Sequence, residues 1–196
     1  MREKKIVITS QIQLIDFFKD NSLRIKKGSK ISFTSPLKLD SNITFNGNIL
    51  LGKNNIIGSN CVLDNVDIGD KNIIKMSSFI ENSKIHNHNI VGPFAYIRDN
   101  TNIQNKCIVG AYVEITRSTI KNKSFASHRA FIGDAVIGSG TIIGAGTVFC
   151  NYSFKTSSKQ KSFVGSNCKI GSNVCIIAPS KIKPNTFIPA TTKFKN

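Results

Sequence analysis

An aliphatic residue returns every sixth position over most of the chain. Leu51, Ile57 and Leu63 form one group, and Ile68, Ile74 and Ile80 the next. Ile85, Val91, Ile97, Ile103, Val109 and Ile115 follow, then Ile120, Ala126 and Ile132, then Ile137 and Ile143. The series resumes at Val164, Ile170, Ile176, Ile182 and Ile188. The step is six inside each group and five between most groups. Neither an α-helix nor an alternating strand has this period. It suits a triangular coil of three short strands and three tight corners, with one aliphatic pointing inward on each face. The residue after the aliphatic is often Gly (52, 58, 69, 92, 110, 133, 138, 144, 165, 171), which suggests that Gly lets the corner turn. From Phe33 through Leu39 and Phe45 to Ile188 there is room for roughly eight coils, a prism about 40 Å long.

Two segments break the period. Ser10 to Asn21 reads as a short helix, with Ser10 and Gln13 as a capping box and Ile12, Leu14, Ile15 and Phe18 as its apolar face. Ile6–Ile8 before it is a strand or a simple anchor. Residues 150–162 must leave the prism as a loop, and long loops on rigid scaffolds carry function. The domain reading is an N-terminal segment at 1–30 and a β-helix at 31–196.

The chain has 196 residues, with 27 Lys and Arg against 11 Asp and Glu, a net charge of +16. The lysines are spread along the chain between Asn and Ile, without a basic run or an aromatic–basic motif. This argues against a nucleic-acid partner and for a diffuse field attracting small anions. No apolar run reaches the roughly 18 residues of a membrane span, and Met1–Lys5 does not open a signal peptide. Five Cys without a C-x-x-C pair read as reduced thiols in a cytoplasm.

Between Gly92 and Ala190 a series of motifs follows one template in order. They are Gly92-Pro93-Phe94-Ala95, Ile97-Arg98, Val113-Glu114, Ser127-His128, Gly133-Asp134-Ala135, Gly144-Ala145-Gly146-Thr147, Cys150-Asn151-Tyr152 and Ala178-Pro179. This series resembles the acetyltransferase half of the bifunctional bacterial enzymes that make UDP-N-acetylglucosamine, within the hexapeptide-repeat proteins. Nothing resembles their uridylyltransferase half, and the chain stops at Asn196, so their C-terminal extension is expected to be minimal. The resemblance implies an all-β, left-handed parallel β-helix and transfer of acetyl from acetyl-CoA to an amino sugar phosphate such as glucosamine-1-phosphate. It also implies a homotrimer with sites between neighbouring chains.

Carried over residue by residue, the resemblance makes His128 the catalytic base and Arg98 a phosphate-binding arginine. Ala145, Asn151, Tyr152, Ser172 and Ala190 fall on positions lining the acetyl-CoA site. Three sugar-contacting positions depart: the lysine is Thr116, with Arg117 beside it, the tyrosine is Phe131 and the asparagine is Ile142. Arg117 and Arg129 are spare cations nearby. Transfer to an amine needs a base titrating near neutrality, which favours His128. It also needs a backbone N–H for the oxyanion, offered by Gly144-Ala145-Gly146. Glu114 either orients the imidazole or is a corner carboxylate. No metal is expected: His86 and His88 lie about two coils, near 10 Å, from His128. A nucleotide-linked amino sugar as acceptor and a non-catalytic β-helix are the competing readings.

Overall fold

The computed structural model describes residues 5–195, and the readings made on residues 1–4 and on Asn196 lie outside them. The chain winds as the left-handed parallel β-helix expected from the hexads, through about ten turns. Three flat faces, called A, B and C here, follow one another in each turn in the order C, A, B. Face C is a sheet of nine parallel strands from Leu37–Leu39 to Phe187–Ile188. Face A includes Tyr96–Arg98, Glu114–Thr116, Phe131–Gly133, Val148–Cys150 and Cys175–Ile177, each paired in parallel with the next. Face B includes Asn102–Ile103, Thr119–Ile120, Ala135–Ile137, Ser162–Val164 and Lys181–Ile182.

The coil is longer than the sequence count because it begins before Phe33 and ends after Ile188. Arg24–Ile25 already pairs with Thr44–Phe45, and Lys193–Phe194 still pairs with Cys175–Ile176. Strand Lys5–Ile8 runs antiparallel to Lys30–Thr34 at the N-terminal end. The helix spans Gln11–Phe18, shorter than expected, because Lys19 takes a left-handed conformation at φ 52°. Ser10 caps it by accepting from the Gln13 N–H, while Gln13 accepts from the Thr9 N–H. Leu14 is buried and Phe18 packs on Phe33, but Ile12, expected on the apolar face, is 72% exposed. The Gln11 amide donates to the Leu23 carbonyl and accepts from the Ile25 N–H, so the helix satisfies part of the first coil's open edge.

The aliphatics of the period fill the interior: Ile57, Ile74, Val91, Val109, Ile97, Ile115 and Ile132 are all buried. The glycines after them have a different role from the one expected. Of that set only Gly92 has a positive φ. A Cβ at Gly110 would lie 1.6 Å from the Ser127 carbonyl oxygen, so Gly is needed there for the close approach of adjacent coils. The corners turn instead through non-glycine residues at positive φ, among which Asn is the commonest: Asn54, Asn60, Asn82, Asn100, Asn167, Asn173 and Asn185 are examples. Asn tolerates this region best among residues with a Cβ, which gives the Asn-rich composition a structural cause.

A buried polar ladder runs inside the edge where face B meets face C. The Asn55 Oδ1 accepts from the Asn72 N–H at 2.8 Å, Asn72 from Asn89 at 2.8 Å, and Asn89 from Cys107 at 2.7 Å. The Asn72 amide also donates to the His86 carbonyl at 2.8 Å. Ser124 and Thr141 continue the column by donating to the Gly138 and Gly165 carbonyls. Cys61, Cys107 and Cys168 are buried small residues of such corners, and burial pushes the Cys61 thiol up to about 11. Asn72→Ala breaks two buried bonds and leaves their partners dry. It is expected to cost roughly 2–4 kcal/mol in denaturant unfolding, whereas a loss below about 0.5 kcal/mol would show that the ladder is dispensable.

Candidate active site

Stacking places each corner residue over its counterpart one coil earlier. At the edge between faces C and A, His128 lies over Ala111, in strand register. The Gly146 N–H donates to the His128 carbonyl at 3.0 Å, the Asn173 N–H to the Ala145 carbonyl at 2.8 Å, and the Thr191 N–H to the Ser172 carbonyl at 2.8 Å. His128, Ala145, Ser172 and Ala190 therefore form one vertical column, a coil spacing of about 4.8 Å apart. His128 is exposed, and its imidazole has no hydrogen-bond partner among the described residues. Above it the column carries only the small side chains of Ala145, Ser172 and Ala190.

Arg98, Thr116, Arg117, Asn151 and Tyr152 sit on the far edge of face A, where it meets face B. Arg98 donates from Nε and Nη2 to Glu114 Oε1, at 3.1 and 2.7 Å, and from Nη1 to Asp99. Arg117 donates from Nε and Nη2 to the two oxygens of Asp134, at 2.8 and 3.0 Å. Its Nη1 reaches Asp99 at 3.0 Å and the Thr116 hydroxyl at 2.8 Å, and that hydroxyl donates to Asp99 at 3.0 Å. The Asn151 amide donates to Asp134 from the next coil. The result is a ladder, Glu114–Arg98–Asp99–Arg117–Asp134–Asn151, of alternating charge closed by an amide.

Glu114 thus binds Arg98, not His128. Thr116 is buried within the ladder, and Arg117 is saturated by it. The ring of Phe131 lies over Gly133, where an added Cβ would come within 2.8 Å of it. Ile142 is on face C, in register with Phe125 and Lys169. Tyr152 opens the excursion at 150–162, which is an antiparallel hairpin pairing Tyr152–Ser153 with Ser158–Lys159. The hairpin leaves from the ladder edge, its Phe154 is 90% exposed, and the chain re-enters the prism at buried Ser162. The structure gathers His128, Ala145, Ser172 and Ala190 on one edge and Arg98, Thr116, Arg117, Asn151 and Tyr152 on the other. Across the face and two coils, Arg98 and His128 are on the order of 15 Å apart.

Asp99 and Asp134 were given no role from the sequence. Counting 18 residues back and 17 forward from Arg117 would have found them, since those are the separations of its bonds to Asp99 and Asp134. The Thr116 hydroxyl holds the Asp99 carboxyl below the usual range, against some desolvation, with Arg98 and Arg117 adding to it. At Asp134 burial works to raise the carboxyl, but the hydrogen bonds from Arg117 and Asn151 outweigh it and the net direction is down. Folded values below unfolded ones give stability that is complete above the unfolded value near 4 and is lost as pH falls through the folded values. Asp134→Asn is expected to cost about 1.5–3 kcal/mol at neutral pH. In thermal melts the deficit should hold above about pH 5 and shrink as pH falls below about 4; a constant deficit would show that the charge is not its source.

The bacterial transferase hexapeptide (six repeats) family matches residues 82–117. The chain is 40% identical over 168 residues to the bifunctional protein GlmU of Baumannia cicadellinicola subsp. Homalodisca coagulata, covering 86% of this chain and 34% of that protein. It is 47% identical over 161 residues to the bifunctional protein GlmU of Buchnera aphidicola subsp. Baizongia pistaciae, covering 82% of this chain and 36% of that one. The chain thus spans about a third of the length of these curated relatives. Among solved structures, UDP-N-acetylglucosamine O-acyltransferase (LpxA) from Moraxella catarrhalis RH4 is similar at 17% identity and a TM-score of 0.37, over 80% of this chain and 66% of that one. The chain is thus similar to the bacterial transferase hexapeptide family over residues 82–117 and to the GlmU proteins over most of its own length.

Proposed function

We propose that this chain is an acetyl-CoA-dependent N-acetyltransferase acting on an amino sugar phosphate, with glucosamine-1-phosphate the first candidate. The reading places it in the cytoplasm; among the described residues no helix is long and apolar enough to cross a membrane. The observation that carries the proposal is the column on the edge between faces C and A. An exposed imidazole without an internal partner stands directly beneath the small residues Ala145, Ser172 and Ala190, which we read as the groove for the thioester arm.

Each residue's part follows from its chemistry. The imidazole of His128 takes the proton from the acceptor's ammonium as a positioned general base. The exposed position leaves room for the sugar amine to approach. Small side chains at 145, 172 and 190 keep the groove open, and the backbone around Gly144 and Gly146 offers N–H groups for a developing negative oxygen. Asn151 and Tyr152, on the far edge of face A, meet a ligand in this groove only from a neighbouring chain.

A homotrimer supplies that neighbour. Face C presents Ile56, Ile73, Ile90, Ile108, Phe125 and Ile142 outward in one column, in register coil after coil. Four of these isoleucines are among the exposed large hydrophobics, and the stripe ends at Lys38 and Lys169. An apolar row of this length beside the catalytic edge is an assembly surface. Ile108→Lys is expected to shift the sedimentation profile from trimer to monomer and to abolish turnover. A wild-type chain that is monomeric and fully active would refute the assembly.

His128→Ala is expected to keep the fold and assembly and to lower kcat by roughly 10²–10⁴. KM for acetyl-CoA should change little, because the base serves the amine. Acetyl-CoA consumption with glucosamine-1-phosphate is the direct test, and wild-type turnover by His128→Ala from pH 6 to 9 would remove the imidazole from the reaction.

A further inference from the structure

The lysines are dispersed in sequence, but the coil gathers a set of them on one line. At the edge where face B meets face C, the Lys71 N–H donates to the Lys53 carbonyl and the His88 N–H to the Asp70 carbonyl. The Lys106 N–H donates to the Asn87 carbonyl and the Lys123 N–H to the Asn105 carbonyl. Lys71, His88, Lys106 and Lys123 therefore stand one above another on successive coils, at φ of 57°, 60°, 60° and 59°. All of them are exposed. Lys121 and Lys183 lie just before the corners of their own coils on the same edge, also exposed. Asp70 is the one carboxylate in these corner columns among the described residues, and its Oδ1 is taken by the Lys53 N–H at 3.0 Å.

This row works against the fold in two ways. The same corner column uses Asn at 54, 167 and 185 and Gly at 140, all at positive φ. Asn and Gly accept the left-handed region, whereas Lys has no local bond that favours it. Lys106 and Lys123 are also like charges whose backbones lie about 5 Å apart, closer than the screening length of roughly 8–10 Å. Long stems let the ammonium groups splay, but neither lysine has an ion pair or side-chain hydrogen bond among the described residues. The edge of faces A and B meets the same spacing with alternating charge, through Asp99, Arg117 and Asp134. Charge is thus sorted by edge, with carboxylates bordering face A and lysines on the edge turned away from it.

We propose that the edge between faces B and C docks the chain on an anionic lipid surface, with Lys71, Lys106, Lys121 and Lys123 in the headgroup layer. A straight, rigid ridge is tangent to a plane along its whole length, so lysines on successive coils reach that plane together. Clusters of about four to eight lysines suffice for attraction to an anionic leaflet. The bases here are lysines rather than arginines: point charges on long apolar stems, suited to a fluid headgroup layer more than to paired phosphate recognition. The corner columns carry no Phe or Tyr on which a nucleic-acid base could stack. Because this edge does not border face A, docking leaves His128 and the Arg98–Asp134 ladder facing away from the lipid. The contact is peripheral and salt-reversible, and it does not depend on the transferase reading.

The test is co-sedimentation of the intact protein with phosphatidylcholine vesicles, with and without about one-third phosphatidylglycerol, at low and high salt. Binding is expected only to the anionic vesicles and is expected to fall with salt. Lys106→Asn with Lys123→Asn installs the residue that other corners of this column use, so the fold is kept and Tm is unchanged or raised. Each lysine contributes about 5-fold, so the pair should weaken binding about 25-fold. Lys106→Gln with Lys123→Gln should give the same loss. Lys193→Gln with Lys195→Gln removes equal charge away from this edge and should have a much smaller effect. Equal losses for the two sites would reduce the effect to net charge and overturn the proposal, as would wild-type binding by Lys106→Asn with Lys123→Asn. A change of oligomeric state in that variant, read by sedimentation velocity, would make the edge a contact between chains and overturn it too. Tighter binding to single-stranded RNA than to vesicles, lost in the same variant, would reassign the row to a linear polyanion.

Discussion

From Lys30 onward each coil is hydrogen-bonded to the one before it, residue over residue, at a separation of 17 or 18 outside the excursion. Everything else in the molecule depends on that register. It converts positions distant in sequence into columns about 4.8 Å apart, and a column has no room for side chains that repel. Inside the prism the rule is met by aliphatics on the faces and by Asn, Ser, Thr and Cys at the corners. There the ladder from Asn55 to Cys107 feeds each amide oxygen to the next coil's N–H. A pentad in place of a hexad shortens the turn without moving the column, which is why Ile68 and Ile85 both remain buried.

The same register governs charge at the edge of faces A and B. Like charges one coil apart would repel at close range, and opposite charges attract in a partly dry corner. Asp99, Arg117 and Asp134 alternate in one column, with Arg98 and Glu114 braced against it. Three carboxylates face two guanidiniums, so this corner is locally anionic on a chain whose net charge is +16. Cations elsewhere on the surface set the long-range field; the ladder sets local geometry at the root of the hairpin.

The fold was legible because burial writes its period directly into the sequence: Ile97, Ile103, Val109 and Ile115 need no structure to be placed on successive faces. The role of glycine was not legible, because a Gly at 110 looks the same whether the backbone must turn or a neighbouring carbonyl must approach. The coil count fell short because Arg24–Ile25 is too brief to show a period. The site was legible in part. His128, Ala145, Ser172 and Ala190 were each named from the family resemblance and share an edge, whereas the pairing of Arg98 with Glu114 depends on stacking that only the coil register defines. Asp99 and Asp134 stayed silent for the same reason: an acidic residue in a loop carries no sign of the guanidinium one coil away.

The two edges of face A impose a final constraint. A rigid face separates His128 from Arg98, Asn151 and Tyr152, and no corner of the prism can fold to close that gap, since every coil is tied above and below. Residues on opposite edges of one face can meet across a ligand only if a second chain brings its ladder edge toward the first chain's histidine edge. The apolar column of face C, which meets face A at the histidine edge, would be the contact under the proposed assembly. A groove between chains would then have the small residues and the imidazole on one wall and the hairpin on the other. The hairpin's exposed Tyr152 and Phe154, packed edge to face with centroids 5.2 Å apart, make sense as a wall for a neighbour's groove rather than as part of their own prism. Under the proposed assembly, chemistry and oligomerisation are one problem for this β-helix: its stiffness fixes each half of the site, and another copy would complete it.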